Sequence, residues 1–373
     1  MGTPLTILLT NSTDIYGGGE FYVLEVAKSL QRRGHRVLVT CKPATLLREK
    51  CEQAGLTVFP LDFPPQGKFP TFITRMKQII TRNSIRIVHT NSNYDRTAGA
   101  FAARLTGARH ITNVHSFHSL QHNITHWVRN RFATDHYLVD GVCVRDLLVK
   151  TDGIASSRIS VVYLGVDPDS MKRSEPDRER VRRDFGLTNS DLLIGNVARF
   201  VPFKGHIFLL RAFATITERW QNVHLVLVGD GELGEKLKNT VRELGIAGKV
   251  IFAGFRDDLT AVYSAFDIYA HPSMEGGGET FPFAVLQALS QGLPVVVTEV
   301  GDVPAMVDEG VNGFIVPDQN PGALAEKLLL LMGDEQLRMK MGNNSREKLL
   351  SGFTTEKMVD AIERIYYHIL GGV

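Results

Sequence analysis

The densest group of chemically useful side chains lies at residues 271–289, where the sequence reads HPSMEGGGETFPFAVLQAL. We expect a strand to end at His271 and an apolar helix to begin near Phe283. The loop between them carries three consecutive glycines and two carboxylates, Glu275 and Glu279. A carboxylate at a helix N-terminus can accept hydrogen bonds from sugar hydroxyls and can face a developing cation. We therefore single out Glu279; the alternative is an ordinary carboxylate in the first turn of a helix.

A second group follows an expected strand at Leu192–Val197, where the sequence reads ARFVPFKGH. Arg199 and Lys204 lie five positions apart, and Gly205 follows them directly. A guanidinium can chelate two phosphate oxygens and an ammonium adds a point charge, so this spacing suits a diphosphate. The alternative is a pair of solvated surface cations.

Two glycine turns also follow expected strands. The first, Gly17–Gly19, opens a helix whose free N–H groups would suit a phosphate. It is not a G-x-G-x-x-G run, and Cys41 and Lys42 stand where an acidic residue would follow the next strand, so NAD binding is disfavoured. The second turn contains Gly231 and is weak evidence alone, because ordinary turn chemistry explains it equally well.

The elements that must position these residues alternate along the first half of the chain. Apolar runs predict strands at Leu5–Thr10 and Val37–Thr40, and a helical stripe covers Glu20–Arg33 between them. RIVH and ITNV are further strands, with a helix near Thr97–Thr106 between them. Strands and helices that alternate in this way predict a parallel, doubly wound sheet.

The pattern restarts after a charged segment, Asp167–Asn189, which we interpret as a linker with a first short helix. Strands are then predicted at 192–197, 223–229, 250–253, 268–271, 295–298 and 313–316. Helices are predicted at 207–220, 233–244, 259–265, 283–291, 321–332, 335–351 and 355–370.

We therefore expect an α/β fold with two Rossmann-like doubly wound domains, which would enclose a cleft if they lie facing each other. We place the first domain at residues 1–168 and the second at 169–354, and expect a C-terminal helix at about 355–373 to pack back on the first. Ligands in such sheets bind at the carboxyl ends of the strands, so the cleft is the expected site.

Composition narrows the class of protein. The chain has 373 residues, 43% of them hydrophobic and 22% charged, which is typical of an ordinary globular protein. The net charge of +2 disfavours a nucleic-acid binder. Residues 1–170 carry 20 basic and 13 acidic side chains, against 22 and 27 in the rest, so the halves have opposite signs. Three scattered cysteines, no signal peptide and no apolar run of 18 residues predict a cytoplasmic location.

Several motifs in order resemble the retaining nucleotide-sugar glycosyltransferases of family 4, which have the GT-B fold. HPSMEGGGETFPFAVLQALSQGLPVVVTEVGDVP is similar to their H-P-S, Glu-Gly-Phe-Gly, second Glu and A-x-x-x-G-x-P-V-V series. GGGEFYVLEVAKSLQRRGHRV, TNVHSF, YLGVD and ARFVPFKG resemble further family motifs in the expected order. The resemblance covers nearly the whole chain and implies a glycosyltransferase.

The resemblance also implies residue roles. Arg199 and Lys204 would bind the donor diphosphate and stabilise the leaving nucleotide. His115 would contact the donor sugar, and Glu279 would hold its hydroxyls. The other implied donor-binding positions, of which the first two would close over the phosphates, are Gly17, Gly18, Gly231, Thr280, Phe281 and Gln287.

Two positions depart from the family pattern. Gln287 stands where the family has the second Glu that holds the ribose, so the amide keeps hydrogen bonds but loses the charge. Pro282 lies in a loop whose backbone amides the family uses, and it has no N–H to donate. If the family's Glu-Gly-Phe-Gly motif is aligned on Glu275 instead, its spacing from H-P-S fits better, but the match to the apolar helix is lost. We therefore prefer the alignment on Glu279.

The implied reaction passes through an oxocarbenium-like transition state while charge leaves on the diphosphate, and cations there stabilise the leaving group. We expect no metal and no resident cofactor, because the implied reaction needs no metal triad and the sequence has no His/Cys cluster with metal-ligand spacing. His118, His122 and His126 recur every four residues, but a hydrophilic acceptor face explains them better than a metal site.

The basic first domain is expected to face the acceptor, a glycan or a lipid-linked molecule. The stretches Phe72–Arg86 and Ile124–Phe132 mix cations with apolar side chains, so they could lie on an anionic membrane surface. The alternative is that they are ordinary amphipathic surface helices. With UDP- or GDP-sugar as the expected donor, this predicts a role in cell-surface polysaccharide, lipopolysaccharide or glycolipid assembly, with peripheral attachment to the inner face of the membrane.

Two other functions stay open. Gln287 and Pro282 would also suit a non-catalytic or altered-specificity nucleotide-sugar-binding protein with the GT-B fold. Another GT-B enzyme, such as an epimerase or a phosphorylase, ranks lower, because a phosphorylase needs a cofactor lysine and a much longer chain.

Overall fold

The structure, a computed structural model, describes residues 3–14, 16–63 and 69–371. The chain divides into two compact units. Residues 1–164 and 355–373 form the first unit, and residues 165–354 form the second. The first unit is therefore built from both ends of the chain, while the second is continuous.

The strands of the described residues form one fully parallel sheet in each unit. Their bounds are β1 (Thr6–Thr10), β2 (Arg36–Thr40), β3 (Thr57–Val58), β4 (Ile87–Thr90), β5 (Arg109–Val114), β6 (His136–Val139), β7 (Ile159–Val161), β8 (Leu192–Val197), β9 (Val223–Val228), β10 (Val250–Gly254), β11 (Ile268–His271), β12 (Val295–Thr298) and β13 (Gly313–Val316). The strand order is β3-β2-β1-β4-β5-β6-β7 in the first sheet and β10-β9-β8-β11-β12-β13 in the second. In both sheets the order reverses beside the first strand of the unit, the place where doubly wound sheets bind ligands.

The helices follow the strands in alternation, as parallel connections require. Their bounds are α1 (Gly18–Arg32), α2 (Leu46–Gln53), α3 (Phe69–Arg82), α4 (Asn93–Thr106), α5 (Ile124–Val128), α6 (Val142–Asp152), α7 (Glu175–Asp184), α8 (His206–Thr217), α9 (Gly234–Glu243), α10 (Leu259–Ala265), α11 (Phe283–Ser290), α12 (Val303–Met306), α13 (Pro321–Gly333), α14 (Glu335–Gly352) and α15 (Thr355–Ile369). A π-helical turn spans Arg129–Ala133, and 3-10 turns span Ser156–Arg158 and Pro202–Lys204. None of the helices formed by the described residues has both the length and the apolar character needed to cross a membrane.

The two parallel, helix-covered sheets confirm the predicted α/β fold class. In the second unit most bounds agree to within one or two residues, because its central strands are continuous apolar runs that lie buried. In the first unit the predicted helix at Glu20–Arg33 begins earlier, since α1 starts at Gly18 with Gly17 as its N-cap.

Helix α3 corrects the prediction for Phe72–Arg86. The helix ends at Arg82, and Ser84 then takes a left-handed conformation with φ 52°. Phe72, Met76 and Ile80 are buried in the core of the first unit. The apolar face of α3 is therefore occupied by the fold and is not available to a membrane, so the ordinary amphipathic interpretation is correct here.

Helix α15 packs on α1 within the first unit. Arg33 donates to Asp360 at 2.6 Å and to Glu363 at 2.8 Å. The His35 ring shares a hydrogen bond with Glu363 at 2.9 Å. These contacts tie the C-terminal helix to the end of the first helix of the chain.

Candidate functional site

In the second unit, loops from four neighbouring strands meet at one edge of the sheet, since the carboxyl ends of parallel strands point the same way. They follow β9, β8, β11 and β12, and they carry Gly231, Arg199 with Lys204, Glu279, and Gly301 respectively. Most of the residues predicted for the donor therefore lie in one loop cluster.

Glycines allow these loops to approach each other closely. Gly205 has φ +66°, and a Cβ there would lie 1.9 Å from the carbonyl oxygen of Pro272. A Cβ at Gly277 would lie 1.9 Å from the Cβ of Phe203. Gly231 leaves no room either, because its Cβ would lie 2.6 Å from the carbonyl oxygen of Phe200. The backbone, and not flexible side chains, thus fixes the distance between the loops.

Lys204 and Glu279 form an ion pair in this cluster, with only 14% and 9% of their side chains exposed. The same Glu279 oxygen, Oε2, lies 2.8 Å from the Ser273 hydroxyl and 3.1 Å from His271 Nε2. The His271 ring also lies near the hydroxyl of Tyr269, with 3.2 Å between Nδ1 and the oxygen. Sequence reasoning found Glu279 and Lys204 but gave no role to these three neighbours.

The surroundings of Glu279 control its charge. Burial alone would raise its pKa, but the Lys204 ammonium and the His271 hydrogen bond outweigh burial and hold the pKa well below the usual range. Burial lowers the pKa of His271, although the nearby Glu279 opposes that shift. Near neutral pH the site therefore holds an ionised Glu279 and a neutral imidazole.

The structure distinguishes Glu279 from Glu275, the carboxylate that the alternative motif alignment would use. Glu275 is exposed, and its backbone N–H donates to Asp318 at 3.0 Å. It shares no ion pair with Lys204 among the described residues. Only Glu279 of the two carboxylates thus lies beside the predicted phosphate cation.

The other predicted donor residues of this unit lie around that pair. Arg199 is exposed, and its guanidinium makes no hydrogen bond or ion pair with any residue the structure describes. Thr280 and Phe281 are buried, and the Thr280 carbonyl accepts from the Asp302 N–H at 2.8 Å. Gln287 is also buried, on α11, whose N-cap is Pro282.

Gly17 and Gly18 lie in the first unit at the N-terminus of α1. Both are exposed, and the Gly17 N–H donates to the Glu20 carboxylate at 2.9 Å. Glu20 is buried and also accepts from Asn11 at 2.9 Å. The carboxylate therefore already occupies one of the N–H groups that the glycine turn was expected to offer to a phosphate.

His115 follows β5 in the same unit, and its side chain is 19% exposed. Its Nδ1 lies 3.3 Å from Asp140, and its Nε2 lies 3.1 Å from the Asn113 amide nitrogen. Because Asn113 Nδ2 donates to Nε2, the remaining ring proton lies on Nδ1 and points to Asp140. The Tyr22 ring packs edge-on against the imidazole at 4.8 Å.

His118, His122 and His126 lie on the loop and helix after His115. Across the part of the chain that the structure describes, no three His, Cys, Asp or Glu side chains gather in a way that could hold a metal ion. His126 instead accepts from the His122 N–H at 3.3 Å.

An exposed apolar surface lies on the segment from α5 into the π-helical turn. Ile124, Trp127 and Phe132 are 72%, 43% and 59% exposed, and the two aromatic rings meet edge-on at 5.7 Å. Arg131 is exposed beside them, whereas Arg129 is buried and donates to the Leu120 carbonyl at 2.6 Å. We call Ile124, Trp127, Arg131 and Phe132 the aromatic surface.

Comparisons with known proteins agree with this architecture. A model of the group 1 glycosyl transferases matches residues 177–348, and a model of glycosyltransferase family 4 matches residues 16–170. An Escherichia coli UDP-Gal:alpha-D-GlcNAc-diphosphoundecaprenol alpha-1,3-galactosyltransferase is 26% identical over 78% of this chain and 77% of its own. A Bacillus anthracis N-acetyl-alpha-D-glucosaminyl L-malate synthase is 24% identical over 95% and 94%.

Solved structures share the fold. A glycosyltransferase from Rickettsia africae superposes with a TM-score of 0.90 at 20% identity, covering 99% of each chain. Anabaena HepE in complex with UDP superposes with a TM-score of 0.84 at 22% identity, covering 97% of this chain and 99% of its own. The solved structures show the GT-B fold, and the two family models, which together match residues 16–170 and 177–348, show that the chain belongs to glycosyltransferase family 4.

Proposed function

We propose that this glycosyltransferase moves a sugar from a nucleoside-diphosphate donor to an acceptor hydroxyl with retention of the anomeric configuration. The observation that carries the proposal is the largely buried Lys204–Glu279 pair, with Arg199 exposed in the same loop cluster. It offers cations for a diphosphate and a carboxylate for a sugar, which are the two parts of such a donor.

The charges suit the bond that breaks. As the glycosidic C–O bond opens, negative charge grows on the diphosphate, and Arg199 and Lys204 stabilise it. Positive charge grows on the sugar ring, and the ionised Glu279 carboxylate both accepts sugar hydroxyls and lies near that charge. We propose that these side chains need no resident cofactor and no metal ion.

UDP-sugars are the first donors to test, since HepE is described in complexes with UDP and UDP-glucose. GDP-sugars come second. The roles proposed for His115, Gly17 and Gly18 remain predictions carried over from the family resemblance.

A donor panel tests the proposal. The purified protein is screened for thermal shift and turnover with UDP-, GDP- and ADP-sugars, and the product anomer is determined by NMR. We expect Lys204→Ala and Arg199→Ala to lower kcat/KM about 100-fold, since each loses a charge-assisted bond worth about 1.5–3 kcal/mol. Lys340→Ala removes an exposed cation of the same unit outside the site and serves as the control. Inversion at the anomeric carbon, or full turnover by both site variants, would contradict the proposal.

Metal independence has its own test. We expect turnover to persist after dialysis against EDTA, and added Mg²⁺ or Mn²⁺ to change it less than twofold. A loss that is restored by one of these ions would overturn this part of the proposal.

For the acceptor we propose a glycan or lipid-linked molecule at an anionic membrane surface, in cell-surface glycan assembly. The support is the aromatic surface, where exposed apolar rings adjoin Arg131, together with the basic excess of the first half. The E. coli relative's name also specifies a diphosphoundecaprenol substrate.

Vesicle sedimentation tests this attachment. We expect binding to phosphatidylglycerol vesicles at low salt, and a several-fold loss on Trp127→Ser with Phe132→Ser. Leu330→Ser, an exposed apolar residue of the second unit, should have no effect. Equal recovery in the supernatant with and without anionic lipid would exclude the attachment.

A second candidate is a nucleotide-sugar-binding protein without transferase activity. The observation that favours it is the buried Gln287 amide at the position of the family carboxylate. Calorimetry that shows UDP or GDP binding, combined with no turnover of any donor in the panel, would favour this function over catalysis.

A further inference from the structure

The hydrogen bonds to Glu279 are unequally divided between its two oxygens. Oε2 lies within hydrogen-bond distance of three groups, namely Lys204 Nζ, the Ser273 hydroxyl and His271 Nε2. Oε1 accepts no hydrogen bond from any residue within 3–14, 16–63 and 69–371. One oxygen is thus held by the protein and the other is left for a ligand.

The contact with Glu279 selects one tautomer of His271. A carboxylate has only acceptors, so a hydrogen bond across the 3.1 Å between Nε2 and Oε2 requires the proton to lie on Nε2. The ring is buried and neutral, so Nδ1 is then bare and must accept. The hydroxyl of Tyr269, at 3.2 Å, is positioned to donate to it.

The opposite tautomer fits this site poorly. With the proton on Nδ1, the ring would donate to Tyr269, whose hydroxyl would then donate to the Val197 carbonyl at 3.4 Å. The Nε2 lone pair would then face Oε2 of Glu279 at 3.1 Å, and two acceptors would repel each other there. The Ser273 hydroxyl could donate to Nε2 at 3.0 Å only by giving up its 2.8 Å hydrogen bond to Oε2. The Tyr269 hydroxyl therefore helps to set the ring for the carboxylate.

Ser273 completes the arrangement. Its hydroxyl lies 3.0 Å from His271 Nε2 and 2.8 Å from Glu279 Oε2. Since Nε2 carries a proton, the Ser273 hydroxyl donates to the carboxylate. Thr298 donates to the backbone carbonyls of both His271 and Ser273, which fixes the backbone of this loop.

These contacts give Glu279 two kinds of support. Lys204 supplies charge on a long, flexible side chain, whereas His271 and Ser273 supply neutral hydrogen bonds from a short, buried stretch of backbone. A diphosphate would compete for the Lys204 ammonium, but it would not compete for the two neutral donors.

We propose that Tyr269, His271 and Ser273 are positioning residues that hold Oε2 of Glu279. Oε1 then stays directed to the donor sugar when Lys204 turns to the donor phosphates. The inference rests on the proposed function, in which Lys204 binds phosphate and Glu279 binds the sugar. The central observation is a chain of two hydrogen bonds, in which Tyr269 donates to His271 and His271 donates to Glu279. This chain exists without any ligand.

The first experiment measures this chain in the ligand-free protein. ¹⁵N-labelled histidine reports the tautomer of each ring, and His271→Gln identifies which of the 12 histidine signals belongs to His271. We expect a neutral ring with the proton on Nε2. In Glu279→Gln, the new amide can donate to Nε2, so we expect the proton to move to Nδ1. A proton on Nδ1 in the unchanged protein, or a charged ring, would overturn the inference whatever the protein catalyses.

The second experiment separates positioning from folding. Replacing His271 by Leu removes the donor, whereas His271→Gln keeps an N–H at a similar distance from the backbone. With the donor found in the panel, we expect kcat to fall about 10- to 100-fold in His271→Leu and to recover to within about fivefold in His271→Gln, while the Kd of UDP stays unchanged. Equal rates for the Leu and Gln variants, or parallel losses of UDP affinity and kcat, would contradict a positioning role.

The third experiment compares Tyr269→Phe with a matched control variant, Tyr366→Phe. Tyr269→Phe removes a buried tyrosine–histidine hydrogen bond, and Tyr366→Phe removes another, between Tyr366 and His89 at 2.7 Å in the first unit. Both variants should lose similar stability, but only Tyr269→Phe should lower kcat and let the His271 tautomers mix. An equal effect of both variants on kcat would show that folding alone is responsible.

The proposed function and this inference fail differently. If the unchanged protein turns over no donor in the panel, the proposed function falls, and the tautomer measurement still decides whether the chain exists. If turnover is normal and His271→Leu retains it, the positioning role falls and the proposed function stands.

Discussion

The Lys204–Glu279 pair makes the sharpest prediction about the energetics of this site. Replacing Lys204 by Met removes the cation and leaves a carboxylate whose side chain is only 9% exposed. Removing one partner of a buried ion pair costs about 3–5 kcal/mol. Because Ser273 and His271 still donate to the carboxylate, we expect the lower end, about 3 kcal/mol at pH 7.

A double-mutant cycle isolates the pair. Glu279→Gln leaves an uncompensated ammonium that can extend toward water, so we expect a loss of about 1 kcal/mol. The double variant has neither charge and should lie within about 1 kcal/mol of the unchanged protein. The coupling energy between the two sites should therefore be about 3–5 kcal/mol.

The unchanged protein and Lys204→Met should also differ in how their free energy of unfolding depends on pH. In the unchanged protein the pKa of Glu279 is lowered on folding, so it contributes stability above its unfolded pKa that is lost as the pH falls through the folded one. In Lys204→Met, burial without the cation raises the folded pKa of Glu279, so its penalty is relieved as the pH falls. The difference in free energy of unfolding between the two proteins should thus be largest near pH 7 and should shrink toward pH 4.

Urea unfolding followed by tryptophan fluorescence measures these differences. Trp220 packs against the core of the second unit, and Trp127→Phe removes the other tryptophan, so the signal reports the unit that contains the pair. Additive single and double variants, or a difference that grows toward low pH, would refute the reasoning.

Two further predictions concern backbone and helix contacts. Gly205→Ala places a Cβ 1.9 Å from a carbonyl oxygen at φ +66°, so we expect a loss of more than about 2 kcal/mol in urea unfolding, whereas exposed Gly248→Ala should change less than about 0.5 kcal/mol. Burial raises the pKa of Glu363, but hydrogen bonds from Arg33 and His35 outweigh it and lower that pKa. Glu363→Gln should therefore cost about 1 kcal/mol at pH 7 in thermal unfolding, and the cost should disappear only as the pH falls below the usual carboxyl range, through the lowered folded pKa of Glu363. A cost independent of pH would show that the charge of Glu363 is not the cause.

The sequence predicted the second unit well because its central strands carry clear patterns. LVLV in β9 and VVV in β12 are uninterrupted apolar runs, and both lie buried in their strands. In the first unit, β3, β6 and β7 were missed. All three are short; polar His136 begins β6 and Ser160 interrupts β7, and these two side chains bond each other at 2.9 Å across the sheet.

The candidate site was predicted less completely than the fold. The motif led to Glu279 and Lys204, but not to the side chains that hold them. One signal was present, since Tyr269 and His271 are two apart in a predicted strand and therefore share a face. Which oxygen of Glu279 they support depends on how the following loop folds back, and that is set by contacts between distant loops rather than by local pattern.

The placement of α15 has a consequence for how the chain must fold. The helix belongs to the first unit, yet it follows the whole second unit along the chain. During synthesis, nearly two hundred further residues must follow residue 164 before α15 is made. Only then can Tyr366 bond to His89, and Glu363 to Arg33 and His35. The second unit has no such delay. A fragment cut at residue 164 would therefore be an unfinished domain, whereas one spanning 165–354 would contain every residue of the second unit.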